Sequence, residues 1–547
     1  MTGRKIFLLL LMSVLVVTSV MSGRRRNVGD NKVRLIHADV LHMDRDRMPD
    51  VQVLNGKVHF VQGVSRLFCD SAYFYEQSNS FKAFGHVRMY RGDTLSLTSD
   101  YAFFDGNEEL AIARHNVVLK HKGRTLYTDS LNWDKAYGIG YFFDGGKLVD
   151  KKNTLTSDWG QYDSENSKAV FNYNVVLKSK NATVHSDTLY YDTHTSVAEI
   201  IGPSDIYQKD GHIYTEHGFY NTDTDKASFF ENTVITREDG KKMVGDSIYY
   251  DAENGISRAF RNVVYVDEKD KRQLTGHVVF YDDSTGYAFA TDNATMIDFS
   301  QKDTLYMHAD SFKLYTFYKE TDSVYRKVYA YHKVRAYRTD VQAVCDSLVY
   351  NQKDSCLSMY RDPILWHGNQ QLLGEVVNTY LNDSTINRVH VVGQALSVQQ
   401  LPEDSTRFNQ ISSKEMIAYF VDGNVREGHA IDNVQTIFYP QDEKDKSFIG
   451  MNFCETTLLK AFMNDSTLEH VWMPSAMGTI FPMTQIPAGR DHLASFAWFD
   501  YIRPMDKNDI YIWRPKSQDK VLRVTERRAA PRNKLSGQQQ KDTDITE

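Results

Sequence analysis

Apolar and polar positions along the chain follow a long period. The stretch "HSDTLYYD" (185–192) runs polar, acidic, then alternates apolar and polar residues to a second Asp. Close variants recur: "CDSAYFY", "SDYAFFD", "TDSLNWD", "SDWGQYD", "TEHGFYN", "GDSIYYD", "GHVVFYD", "ADSFKLY", "CDSLVYN", "GEVVNTY" and "SKEMIAY". Aligned on the acid, they place Asp70, Asp100, Asp129, Asp158, Asp187, Glu216, Asp246, His277, Asp310, Asp346, Glu375 and Lys414 in one column. The first seven stand 29 or 30 residues apart, and the later steps range from 29 to 39. Repetition at a fixed period of this size marks units that stack on their neighbours.

The pattern inside each period predicts strands. An apolar residue stands three places before the acid, as in Leu67, Leu97, Leu126, Leu155 and Val184. Apolar residues stand two and four places after it, as in Leu131/Trp133, Leu189/Tyr191 and Ile248/Tyr250. Residues two apart in a strand share a face. The parity changes between −3 and +2, so a bulge or corner is expected at the acid. An Ala recurs eleven residues on and an Asn-Val pair sixteen on, as in Asn116-Val117, Asn174-Val175 and Asn262-Val263, with polar turns such as "DGNEE" between. Each period reads as turn, strand, turn, strand. Helical periodicity is missing, which excludes a parallel α/β sheet. The expected fold is an all-β, elongated antiparallel jellyroll of about twelve repeats of ~29 residues.

Composition agrees with sheet structure. The 547 residues include 33 Tyr and 29 Phe but only 11 Pro, and aromatic, Pro-poor chains favour strands. The net charge is −7, which gives no basic footprint for nucleic acid. Cys69, Cys345, Cys356 and Cys454 form no C-x-x-C pair, so no zinc pattern is present. They read as buried thiols or, for Cys345 and Cys356, as one disulfide. "FFDGGKLVD" lacks the spacing of a phosphate-binding loop, and no nucleophile elbow or HExxH helix occurs. No catalytic residue, cofactor or metal is expected.

The ends differ from the repeats. Residues 1–22 combine Arg4, Lys5 and an apolar run of sixteen residues, which reads as an export signal or an N-terminal anchor. The basic "RRR" at 24–26 leaves both options open. Residues 27–60 look like an atypical leading repeat. Residues 441–514 break the period, are rich in aromatics and Pro, and read as a capping or docking segment. Residues 515–547 are polar without periodicity, the signature of a disordered tail.

The segments "TLYTDSLNWD", "TSDWGQYDSENSKAVFNYNVVL" and "HSDTLYYD…AEIIG" resemble the repeats of the organic-solvent-tolerance (OstA) family. The likeness is best over 27–300 and continues in divergent form over 301–440. It implies a V-shaped jellyroll whose apolar groove carries lipid A acyl chains. It implies as partners lipopolysaccharide, other jellyroll transport proteins joined by edge-strand addition, and an outer-membrane translocon. The implied place is the periplasm, with contact to the outer membrane or an anchor in the inner one. The groove candidates are Phe104, Leu131, Trp133, Tyr162, Leu189, Tyr191, Ile248 and Tyr250. The acidic column is assigned a structural turn role, because His277 and Lys414 in the same slot do not suit a metal ladder. The alternatives are a structural or adhesive envelope protein with a closed core, and a glycan-processing β-helix.

Overall fold

A computed structural model describes residues 32–516 except 45, 47, 151, 152, 383, 384, 443, 446, 465 and 466. The segments read as the export signal and nearly all of the polar tail lie outside these residues. The chain divides into two compact units: Met1–Glu238 with Tyr249–Glu253, and Asp239–Ile248 with Asn254–Glu547.

Both units are antiparallel β-jellyrolls. Among the described residues the regular structure is strands and three one-turn 3-10 segments. In unit 1, strands such as Ser65–Tyr75, Ser80–Arg91, Leu95–Asp105, Leu110–His121 and Arg124–Asp134 pair each with the next. Each pairing shifts register at its middle, between Phe68 and Ser71 for the first of them. Around residues 139–163 the same shift interrupts the strands outright. Lys168–Lys178 pairs with Trp159–Asp163 through one half and Asn153–Ser157 through the other. The long strands therefore bend, and their two halves belong to two facing layers.

The bend has a specific backbone cause. Two consecutive residues take positive φ: His115 and Asn116 at 62° and 50°, Tyr173 and Asn174 at 66° and 52°, Arg261 and Asn262 at 58° and 48°. Asn tolerates this left-handed region better than most residues, which accounts for the recurring Asn-Val pair. Gly85 (φ 72°) takes the first corner position beside His86, and a Cβ there would stand 2.5 Å from Asp70 Oδ2.

Inward positions follow the parity change. Leu126 and Leu155 at −3, and Leu131, Trp133, Leu189 and Tyr191 at +2 and +4, are all buried, whereas neighbouring Tyr190 is 41% exposed. The Ser/Thr before the acid is buried, or half-buried at Thr128, and bridges the bulge. Ser99, Thr128, Ser157, Ser186 and Thr215 each donate to the carbonyl two residues on. The Thr128 hydroxyl also accepts the Ser130 N–H at 3.3 Å. The second Asp of each phrase closes the turn. Asp105, Asp134, Asp163 and Asp192 each accept from the backbone N–H groups two and three residues on.

All four cysteines are free and buried, so Cys345 and Cys356 form no disulfide here. Burial pushes the Cys69 thiol up to about 12, where it is un-ionised and inert.

Candidate functional site

The facing layers of unit 1 leave two open apolar clefts. The larger encloses about 900 Å³, part of it open to solvent, over Phe60, Phe81, Leu97, Phe104, Leu119, Leu131 and Trp133. The second, of about 510 Å³, runs on from Leu119, Leu131 and Trp133 to Phe142, Leu148, Tyr162 and Phe171. The three shared residues make the clefts neighbours along the stack.

Glycines set the cleft walls. Gly140 lies opposite Trp133, and a Cβ there would stand 2.5 Å from the indole Cε3. Gly146 and Gly160 both admit the Phe142 ring, with the same 2.5 Å limit. The rings pack against glycine positions where any side chain would collide with them.

The rim is cationic. Arg66, Arg91 and Lys135 line the larger cleft and Arg124 the second. Lys135 Nζ donates to Gln62 Oε1 at 2.9 Å, joining rims 73 residues apart in sequence. Burial holds the Lys135 amine below its ordinary value; Glu109 opposes this and Arg91 adds to it. Burial, then Lys122, Arg124 and Arg91, likewise depress His121.

Further along, the space closes. The +4 column passes from Phe74, Phe104 and Trp133 to Tyr162, Tyr191 and Tyr220. Each tyrosine hydroxyl meets a polar partner 41 residues earlier, at the opposite strand ends: His121 at 3.4 Å, Asp150 at 3.3 Å and Ser179 at 3.1 Å. Asn153 Nδ2 also donates to Thr222 Oγ1 at 2.8 Å, and Arg124 reaches the Thr193 carbonyl. Phe and Trp at this position carry no hydroxyl to make such a rung.

Of the groove candidates, Phe104 and Leu131 line the larger cleft, Leu131 the second as well, Trp133 both, and Tyr162 the second. Leu189 and Tyr191 are fully packed in the unit 1 core, and Tyr250 packs against it half-buried. Ile248 is fully buried in unit 2. The rim residues Gln62, Arg66, Arg91 and Lys135 escaped sequence reasoning. Their only signal is a polar residue at strand ends, which turns share.

The acidic column sits at the corners. Asn116 Nδ2 donates to Asp100 Oδ2 at 2.7 Å, Asn174 to Asp158 at 2.7 Å and Asn262 to Asp246 at 3.0 Å. His86 Nδ1 lies 2.7 Å from Asp70 Oδ2, and Asp129 Oδ1 accepts the Asn116 N–H at 3.2 Å. Lys333 pairs with Asp310 at 3.4 Å and Arg361 with Asp346 at 3.0 Å. At Lys414 the charges are exchanged, with Asp432 in the corner 3.9 Å away. Asp187 accepts only a local bond, from Thr188 at 3.4 Å, opposite a corner built from Gly202 and Pro203. Glu216 accepts from Tyr214 Oη at 3.2 Å. Among the described residues no cluster of His, Cys, Asp and Glu could hold a metal ion.

Residues 30–187 and 173–236 match the OstA-like protein family. This part of the chain is OstA-like. It spans the two clefts and the tyrosine rungs and ends before unit 2. No curated protein matches the chain. Among solved structures, one similar chain is that of LptH, described as the LptA homologous periplasmic component of the conserved lipopolysaccharide transport device from Pseudomonas aeruginosa. Identity is 14% over 25% of this chain and 82% of that one, with a TM-score of 0.14.

Proposed function

We propose that the protein is a periplasmic component of lipopolysaccharide transport and outer-membrane assembly that holds lipid A acyl chains in the unit 1 clefts. The observation that carries this reading is the pair of contiguous apolar clefts inside the OstA-like segment, rimmed by Arg66, Arg91 and Lys135. Acyl chains gain ~0.8 kcal/mol per methylene removed from water. Rim cations would take the phosphates of the head group. The role needs no bond making or breaking, only a site that releases what it binds.

Partner jellyrolls would add at the strand edges. Arg34–His37 and Val40–His42 lie against Gln52–Gln62, with Ile36, Val40 and Leu41 more than half exposed. Thr467–Trp472 and Met477–Phe481 lie against Met451–Asn464. Each edge suits strand addition by another jellyroll or by a translocon domain. Among the described residues no helix is long and apolar enough to cross a membrane.

Delipidated full-length protein should bind lipid A, and Ala111→Trp, which fills the larger cleft, should weaken binding at least tenfold. Absence of binding at any concentration would defeat the reading. A closed-core structural protein is the second reading. It draws on the packed, hydroxyl-bridged interior around Tyr191.

A further inference from the structure

Unit 2 has the same bent strands, yet its interior is filled by its own chain. Residues 491–511 thread between the inward faces of Val344, Trp366, Leu396, Val398 and Phe408, burying Ala497, Phe499 and Ile502. The contacts are made to backbone as much as to side chains. Gln410 Nε2 donates to the Asp491 carbonyl at 2.9 Å while its Oε1 accepts the Leu493 N–H at 2.9 Å. Gln371 does the same with the Ala497 carbonyl and the Phe499 N–H, both at 2.8 Å. Gln342 Oε1 accepts from Arg503 Nε at 2.7 Å, and Arg335 donates to the Ile502 carbonyl at 2.9 Å. Gln371, Gln410 and Arg335 are fully buried.

Two amides each clasp a carbonyl and an N–H two residues apart, and so fix the register of a segment that turns at 494–495 and again at Asp500–Ile502. The segment runs back along the stack, from Gln410 to Gln371 to Gln342 and on to Thr295 and His308, which meet Tyr511. Trp366 would still donate to Gln371 and Gln410 to the Phe408 carbonyl, but without the segment Gln371 Nε2, Gln410 Oε1 and the Arg335 guanidinium would lose their partners in an apolar trough, which is costly. An acyl chain has no donor or acceptor to replace these bonds.

We infer that unit 2 is a peptide-binding trough whose resident ligand is the chain's own segment 491–511, and that this occupant closes the unit to acyl chains. Ligand entry is then confined to the clefts of unit 1. The exclusion of lipid rests on the acyl-chain reading; the recognition of peptide does not.

Hydrogen exchange on the full-length protein tests it. The amides of Leu493 and Phe499 should exchange as slowly as those of the neighbouring strand Thr385–Gln400, and saturating lipid A should leave them unchanged. Gln410→Ala should speed Leu493, and Gln371→Ala should speed Phe499, each about tenfold. Leu189 in unit 1 should stay unaffected by either change. Exchange of 491–503 at the rate of an unstructured chain would overturn the inference, as would acceleration on adding lipid A. Failure of the acyl-chain reading would show separately, as no lipid A bound to unit 1, and the two glutamine variants would still decide whether the trough holds peptide.

Discussion

The Tyr191 hydroxyl donates to Asp150 Oδ2 at 3.3 Å, across the space between the layers of unit 1. The bond is one of three rungs with the same separation of 41 residues, the others being His121 to Tyr162 and Ser179 to Tyr220. Asp150 is 4% exposed and has Arg124 Nε at 3.3 Å as its second partner. Tyr191→Phe also gives up the longer contacts to Thr222 and Asn153, which keep each other, and should therefore cost about 0.5–1.5 kcal/mol, the net worth of a buried hydrogen bond whose acceptor is still partnered. Urea denaturation of the full-length protein measures it. An unchanged midpoint would mean that the rung contributes nothing.

Gly140 governs the cleft wall through the Trp133 ring. A methyl there would stand 2.5 Å from indole Cε3, so Gly140→Ala must push the ring toward open space. Overpacking of this kind costs about 1–3 kcal/mol. The variant should lose both stability and affinity for a fluorescent acyl probe. Normal probe affinity would show that the ring does not border the binding space.

The corners separate a strong contact from a weak one. Asn116 combines a left-handed φ of 50° with the bond to Asp100. Asn116→Ala loses both and should destabilise by about 1–3 kcal/mol. The Lys414–Asp432 pair is two-thirds exposed on each side and 3.9 Å long, so Lys414→Ala should cost less than about 1 kcal/mol. Thermal denaturation of both variants gives the order, and equal losses would contradict it.

Acid should act on unit 1 through His121 and His59, both depressed chiefly by burial. Their folded-state values lie below 6.5. The unfolded chain therefore binds the protons more readily, and stability rises with pH through the window between the folded values and 6.5. Acidifying from pH 7.5 to 5 should lower the urea midpoint, and His121→Gln should reduce that slope, leaving the shares of His59 and His308. Asp163 and Asp192, depressed by turn N–H bonds despite burial, lose their contribution only as pH falls below 3.8. An identical slope in wild type and His121→Gln would assign the effect elsewhere.

Much of the fold was legible because its physics is local and repeated. The −3 to +2 parity change marks the bend at Asp129, and the Asn116-Val117 phrase marks the left-handed corner. The open cleft was legible only in part. Phe104, Trp133 and Tyr191 share one column, and what separates them is a hydroxyl meeting Asp150 from 41 residues away, a distance no periodicity reports. The segment "LASFAWFDYIRP" stood out by composition, but its seat depends on Gln342, Gln371 and Gln410. These stand four places before Asp346, Glu375 and Lys414. A glutamine recurring at that position was the readable signal.

The measurement that tests the account most directly is in-cell photocrosslinking of the full-length chain. A photoreactive residue would replace Phe104 in the larger cleft, Tyr190 on the exposed face of unit 1, or Trp366 in the occupied trough of unit 2. The account predicts lipopolysaccharide adducts at 104 and at neither of the other two, with 366 crosslinking only within its own chain. Adducts at 190 or 366 without any at 104 would contradict it.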